Sequence, residues 1–222
     1  MSTVLVIGAS RGIGLELARQ YAAQGRRVIA TVRRAEDRAT VQAVGAEALV
    51  VDVANPASVS GLAWQLDGEQ LDIALYVAGI WSDPPASAPP TQPDFDAVMH
   101  TNVLGAMQVL PQVAPLVAAA GGVFGFLSSG MSLVREADDG SAWLYRVSKA
   151  ALNMAVASAR HEWPGATLVT LDPGWVRTDM GGAGAPLSVQ QSVADLVQVL
   201  AGVVPADAGR LIHHDGRRVD LS

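Results

Sequence analysis

The chain has 222 residues, half of them apolar and 16% charged, with 22 Gly and 12 Pro scattered without period. That composition excludes a disordered, collagen-like or low-complexity chain, and the length suits one domain with a sizeable core. A net charge of −6 and a pI near 5.1 leave no broad basic footprint for nucleic acid.

The N-terminus enters an apolar run within three residues, without the basic segment of a signal peptide. Short β-branched runs predict strands at Thr3–Ile7, Arg27–Val32, Glu47–Val51, Leu71–Tyr76, Gly122–Leu127, Ala166–Leu171 and Arg210–His213. Helical spacing predicts helices at Ile13–Gln24, Pro56–Leu66, Asp94–Ala119, Trp143–Trp163 and Ser188–Ala201. Continuous apolar strands alternating with helices are the pattern of a parallel sheet covered on both faces. The expectation is an α/β chain forming a single Rossmann-like, doubly wound domain over residues 1–222. Its mostly parallel sheet has about seven strands, with helices on both faces. Asp83–Pro93 reads as a stiff surface loop. Val113–Leu127, the longest apolar-looking stretch, is broken by Pro115, Gly121, Gly122 and Gly125 and is too short for a membrane helix. Cysteine is absent, which excludes disulfides and thiolate chemistry and fits a soluble cytoplasmic protein.

The first strand runs into Gly8-Ala9-Ser10-Arg11-Gly12-Ile13-Gly14, and a helix follows. Glycines there permit a tight turn and let backbone N–H groups approach a pyrophosphate, which the helix N-terminus attracts. The G-x-x-x-G-x-G spacing lacks the Lys-Ser/Thr end of an ATP- or GTP-binding loop. Arg33 lies 19 residues after Gly14, where an acidic residue would bind the ribose 2′-OH of NAD. Arginine suits a 2′-phosphate instead, with Arg34 and Arg11 as further contributors, so NADP is favoured over NAD. Glu36 and Asp37 become the acidic partner if the strand ends later. Asp52, in Val51-Asp52-Val53, either accepts from an adenine amino group, with Val53 beside it, or caps the helix near Pro56.

Tyr145 and Lys149 stand four apart on a predicted helix and share a face. A neighbouring ammonium favours tyrosinate and lowers the tyrosine pKa toward neutrality. Together with Gly8–Gly14 and Asp172-Pro173-Gly174-Trp175-Val176-Arg177-Thr178, the stretch Tyr145-Arg146-Val147-Ser148-Lys149 resembles the short-chain dehydrogenase/reductase family along essentially the whole chain. Tyr145–Asn153 and Pro173–Gly182 are most similar to the subgroup that includes the C-factor signalling protein and small carbonyl reductases. The resemblance implies hydride transfer between NADP(H) and a small-molecule carbonyl or alcohol. It implies Tyr145 as general acid and base, and Lys149 as tuner of Tyr145 and holder of the nicotinamide ribose. A serine at the end of the fifth strand would bond the substrate oxygen. Ser129, 16 residues before Tyr145, is the choice, and Ser132, 13 residues before it, is the runner-up. Asn102 matches the asparagine that holds a relay water. Ala78 and Gly79 match positions that admit the cofactor, and Pro173, Gly174, Val176 and Thr178 would wrap its carboxamide. Where the family reads Asn-Asn-Ala-Gly, this chain reads Tyr76-Val77-Ala78-Gly79, which weakens the expected bracing of that loop. The resemblance also implies a dimer or tetramer, and the alternative of an NADP(H)-binding signalling protein with little turnover.

Histidines 100, 161, 213 and 214 have no metal-ligand spacing, so no metal is expected. Strand alternation would point His213 and His214 oppositely. No G-x-S-x-G elbow surrounds Ser128, Ser129 or Ser132, which argues against a serine hydrolase. Of the five tryptophans, Trp81 and Trp175 follow expected active-site loops and are candidates for an apolar pocket wall.

Overall fold

The structure is a computed structural model that describes residues 2–219 and 221. Strands β1 (Thr3–Ile7), β2 (Arg27–Val32), β3 (Glu47–Val50), β4 (Ile73–Tyr76), β5 (Val123–Leu127), β6 (Thr167–Asp172), β7 (Leu211–His213) and β8 (Arg218–Val219) form one sheet. The order is β3-β2-β1-β4-β5-β6-β7-β8, parallel except for the last pair. The expected seven strands therefore gain an eighth. β8 is two residues long and returns through the Asp215-Gly216 turn, too short to register as a periodic run.

Helices are α1 (Gly12–Ala23), α2 (Arg38–Gln42), α3 (Pro56–Ser60), α4 (Leu62–Gln65), α5 (Gln92–Met99), α6 (Gly105–Ala120), α7 (Trp143–Ala159) and α8 (Val189–Ala201). The central strands are buried on both faces. Leu5 and Ile7 of β1 join one apolar cluster with Phe124, Val113 and Val156, and Val4 and Val6 join the other with Leu17 and Leu196. Alternation along a strand produces this division, and helices on both faces close it. The segment Gln92–Ala120 is long and apolar enough, by length and composition, to cross a membrane. Here its Val109, Val113 and Val117 are fully buried in the core.

Three helix expectations change. The long helix over 94–119 starts at Gln92, capped by Thr91, and is interrupted by a π turn at His100–Leu104. The helix over 56–66 breaks at Gly61 into α3 and α4. The helix over 143–163 ends at Ala159, and the short α2 was not expected.

Between β1 and β4 the strand order reverses direction, and the loops leaving those two strands diverge there. Doubly wound sheets open a crevice at that point, beyond the carboxyl ends of the strands.

Candidate active site

Gly8 leaves β1 with φ +91, and a β-carbon there would come within 2.7 Å of the Ala78 amide. Only glycine lets the β1 loop lie against the β4 loop, where Ala78 and Gly79 follow Tyr76. A β-carbon at Gly14 would collide with the carbonyl of Gly8. α1 begins at Gly12, and the extended Arg11 before it supplies no side-chain cap. No side chain of the N-cap residue takes up the first N–H groups of α1, which leaves them available to an anion. Ser10, Gly12 and Ile13 are half-buried beside them. These features fit a dinucleotide pyrophosphate.

β2 ends at Val32, as expected, and Arg33 is exposed just beyond, with no ion-pair partner among the described residues. The three-arginine convergence is not seen. Arg34 pairs with Glu36 and Asp37 at 3.3 Å, and Arg11 pairs with Asp179 at 2.7 Å across the crevice mouth. Short side-chain distances to carboxylates decide both orientations. Glu36 and Asp37 lie past the strand end and are engaged by Arg34. Asp52 does not cap α3. Its carboxylate accepts from the Ala54 amide at 3.0 Å, and Asn55 caps the helix through the Ala57 amide. Val53 is buried next to it.

A cavity of about 770 Å³ opens at the carboxyl ends of β4 to β7. Ile13, Gly79, Ser129, Tyr145, Lys149, Pro173, Gly174, Val176 and Thr178 all line it, as do Trp81 and Trp175. These residues come from α1, α7 and the loops that follow β4, β5 and β6, and the fold brings them to one wall. Tyr145 and Lys149 project from one face of α7, and both are buried. The Lys149 Nζ stands 5.5 Å from the Tyr145 ring centroid and donates to the Leu127 carbonyl at 2.8 Å. The Trp81 ring packs on Tyr145 with centroids 4.6 Å apart.

Burial pushes the Tyr145 phenol up to about 12, Asp172 adds to the rise, and the Ser129 hydroxyl opposes it. Burial holds Lys149 down to about 8. The expected lowering of Tyr145 by the ammonium is therefore not what this environment does. Desolvation of the phenolate sets the direction, and Ser129 rather than Lys149 is the group that opposes it.

The three serines have different partners. Ser128 donates to Asn153 Oδ1 at 2.7 Å. Ser132 donates to the Ser129 carbonyl at 2.6 Å and accepts from Asn153 Nδ2 at 2.7 Å, and it does not line the cavity. Ser129 lines the cavity, and its hydroxyl accepts from the Met131 amide at 3.1 Å. Asn153, eight residues after Tyr145 and on the same face of α7, pins the serine loop. Asn153 was not singled out from the sequence; its place in an i, i+4, i+8 series with Tyr145 and Lys149 is the signal that could have found it.

Asn102 is fully buried inside the π turn. Its side chain accepts from the Ile80 amide at 2.8 Å and donates to the Ile80 carbonyl and to Ser148, both at 3.0 Å. It thereby clamps the loop after Gly79. The bracing expected to be missing is supplied by Tyr76, whose hydroxyl donates to the Thr101 carbonyl at 2.7 Å. Gly105 makes room, since a β-carbon there would stand 2.6 Å from that hydroxyl. π turns recur at functional sites.

His213 and His214 do not diverge. β7 ends at His213 and the chain turns, bringing their rings to 4.3 Å. Among the described residues no group of three His, Asp or Glu side chains is placed to hold a metal ion.

Residues 2–185 match the short chain dehydrogenase family. The chain is 33% identical to 1-hydroxy-2-glutathionyl-2-methyl-3-butene dehydrogenase of Rhodococcus sp. (strain AD45), over 97% of this chain and 98% of that one. It is 36% identical to the C-signal protein of Myxococcus xanthus over 64% of this chain and 86% of that one. Among solved structures it is similar to a Burkholderia multivorans short-chain dehydrogenase/reductase with bound NADP, at TM-score 0.87 and 33% identity over 98% of each chain. A carbonyl reductase from Pseudomonas aeruginosa PAO1 superposes at TM-score 0.85 with 30% identity over 99% of each chain.

Proposed function

The chain belongs to the short-chain dehydrogenase family of oxidoreductases, and on that premise we propose that it is an NADP(H)-dependent carbonyl reductase. The observation that carries the reading is the meeting of Ser129, Tyr145 and Lys149 on one cavity wall with Pro173–Val176 and Ile13. NADP(H), when bound, supplies or accepts the hydride. Gly8, Gly12, Gly14 and the amides opening α1 hold its pyrophosphate, and Ser10 and Ile13 border it. Arg33 neutralises the 2′-phosphate, and Asp52 and Val53 border the adenine. Ala78 and Gly79 give backbone approach, and Pro173, Gly174, Val176 and Thr178 enclose the carboxamide. The NADP-bound Burkholderia relative supports the choice over NAD.

Tyr145 donates its phenolic proton to the substrate oxygen, and Ser129 steadies the charge that develops there. Lys149 bonds the ribose and holds a positive charge near the phenol. Asn102 keeps the Gly79–Ile80 loop in place through three hydrogen bonds. A signalling protein that only bound the cofactor would have no use for a buried proton donor on the cavity wall.

Fluorescence titration with NADPH and NADH, followed by NADPH oxidation with a panel of ketones and aldehydes, tests the reading. Tighter NADPH binding and turnover are expected. Tyr145→Phe is expected to keep NADPH affinity within a few-fold and lose at least about 10²-fold in kcat. Wild-type turnover by that variant would overturn Tyr145 as the acid.

A further inference from the structure

The walls of the cavity above Tyr145 are mostly apolar: Trp81, Met131, Trp175, Val176 and Met180. Three carboxylates also line it. Asp83 and Asp179 are exposed at the mouth, and Asp179 is taken by Arg11. Asp172 is different, being only 8% exposed.

Asp172 and His213 are register partners on β6 and β7, so their side chains leave the same face of the sheet at its carboxyl edge. Asp172 Oδ1 accepts from the Gly174 amide at 3.0 Å. Its Oδ2 has no hydrogen-bond donor among the described residues. His213 Nε2 is 3.8 Å away, too far for a bond. On the other side of the ring, Nδ1 stands 2.9 Å from Asp215 Oδ1. The Asp215 amide also meets Nδ1, at 3.4 Å, so the turn after β7 fixes the ring with Nε2 on the Asp172 side. Gly130 keeps the approach to Oδ2 open, because a β-carbon there would stand 3.0 Å from it.

A half-satisfied, buried carboxylate oxygen in an apolar cavity is costly unless a donor completes it. Resting on the carbonyl-reductase reading, we infer that Asp172 and His213 form a subsite for a hydroxyl group carried by the substrate in addition to the reacting carbonyl. The hydroxyl donates to Asp172 Oδ2, and the His213 ring, with Nε2 3.8 Å from that oxygen, walls the other side of the subsite. An ammonium group is disfavoured there, because the same cavity already holds Lys149. The substrate class is a hydroxylated ketone or aldehyde with an apolar remainder for the two tryptophans.

The test is calorimetric binding in the presence of saturating NADP⁺, where a ketone binds without being reduced. The probes are benzylacetone, its monohydroxylated derivatives and the corresponding amines. Wild type is expected to bind one hydroxylated ketone about tenfold or more tighter than benzylacetone, the size of a hydrogen bond to a charged acceptor. Asp172→Asn turns the open acceptor into a donor and is expected to bring the ratio near one. The ratio is read within each variant, so binding of benzylacetone certifies its fold. If Asp172→Asn does not fold, His213→Gln carries the test, and its ratio is expected to fall. No hydroxyl preference in wild type, an unchanged ratio in the variants, or tighter binding of an amine would overturn the subsite. Hydroxyl preference without NADPH turnover would keep the subsite and sink the reductase reading. Turnover without the preference would do the reverse.

Discussion

Tyr76→Phe removes one oxygen atom from a side chain that is 1% exposed. That oxygen donates to the Thr101 carbonyl at 2.7 Å, inside the π turn that carries Asn102. Burial, helped by the nearby Asp52, drives the Tyr76 pKa strongly upward, so the hydroxyl stays a donor across the working pH range. Losing the bond while leaving the buried carbonyl short of a donor costs about 1–3 kcal/mol. For a chain of this size that is a fall of roughly 2–10 °C in Tm. Urea unfolding is expected to show a lower midpoint with unchanged m, since no new surface is exposed. The activity of the variant is expected to fall through kcat more than KM, because the turn displaces Asn102 and the Gly79–Ile80 loop but leaves the cavity walls. A double-mutant cycle sharpens the test. A β-carbon at Gly105 would stand 2.6 Å from the Tyr76 hydroxyl and 2.7 Å from the Val53 carbonyl. Gly105→Ala is therefore expected to be strongly destabilising, and less so when Tyr76 is already Phe. Wild-type stability and kcat in Tyr76→Phe, with simple additivity in the cycle, would refute the bracing role.

Gly14→Ala places a β-carbon against the Gly8 carbonyl, and NADPH binding is expected to weaken by at least tenfold in a fluorescence titration. Arg33→Ala is expected to raise the NADPH Kd about tenfold or more while leaving NADH binding within a few-fold; equal effects on both would remove Arg33 from the 2′-phosphate. Lys149 is held down to about 8 from 10.5 by burial, so between those values the unfolded chain binds more protons than the folded one. Stability is therefore expected to rise as pH climbs from about 8 to about 10.5, by at most ~1.4 kcal/mol per pH unit. Urea midpoints across that range should show the rise, and Lys149→Met should flatten it.

Strand positions were legible because β-branched runs such as Thr3–Ile7 must be apolar on both sides when helices cover both faces. The glycine loop was legible because Gly8 and Gly14 admit no β-carbon. Local composition says less about pairs that meet only after folding. Nothing near Arg11 marks Asp179, 168 residues later, as its partner. The π turn at His100–Leu104 left no trace in a sequence whose apolar spacing runs on through it. Tyr76 read as a departure from the expected Asn-Asn-Ala-Gly, yet its hydroxyl reaches 25 residues on to hold the turn. The His213–His214 geometry depended on where β7 stops, and strand ends are set by pairing rather than by composition.

The electrostatics of Tyr145 follow from the same burial that assembles the site. A spacing rule treats the Tyr145–Lys149 pair in isolation, and by that rule an ammonium lowers a phenol. In the folded chain both groups are out of water, and desolvation favours the neutral form of each. It pushes Tyr145 up to about 12 and Lys149 down to about 8. Asp172 pushes Tyr145 further in the same direction from across the cavity. In its proposed role Tyr145 is thus a phenol at neutral pH, already carrying the proton that reduction of a carbonyl consumes. Acting as a base for alcohol oxidation, it would first have to surrender that proton, at a cost near pH 7 of roughly 7 kcal/mol. Lys149 keeps its charge at pH 7, and so remains able to steady whatever negative charge reaches the phenol oxygen. On the proposed role of Tyr145, the two directions of the reaction are expected to separate along the pH axis in initial-rate profiles, with reduction supported at neutrality and oxidation rising with pH.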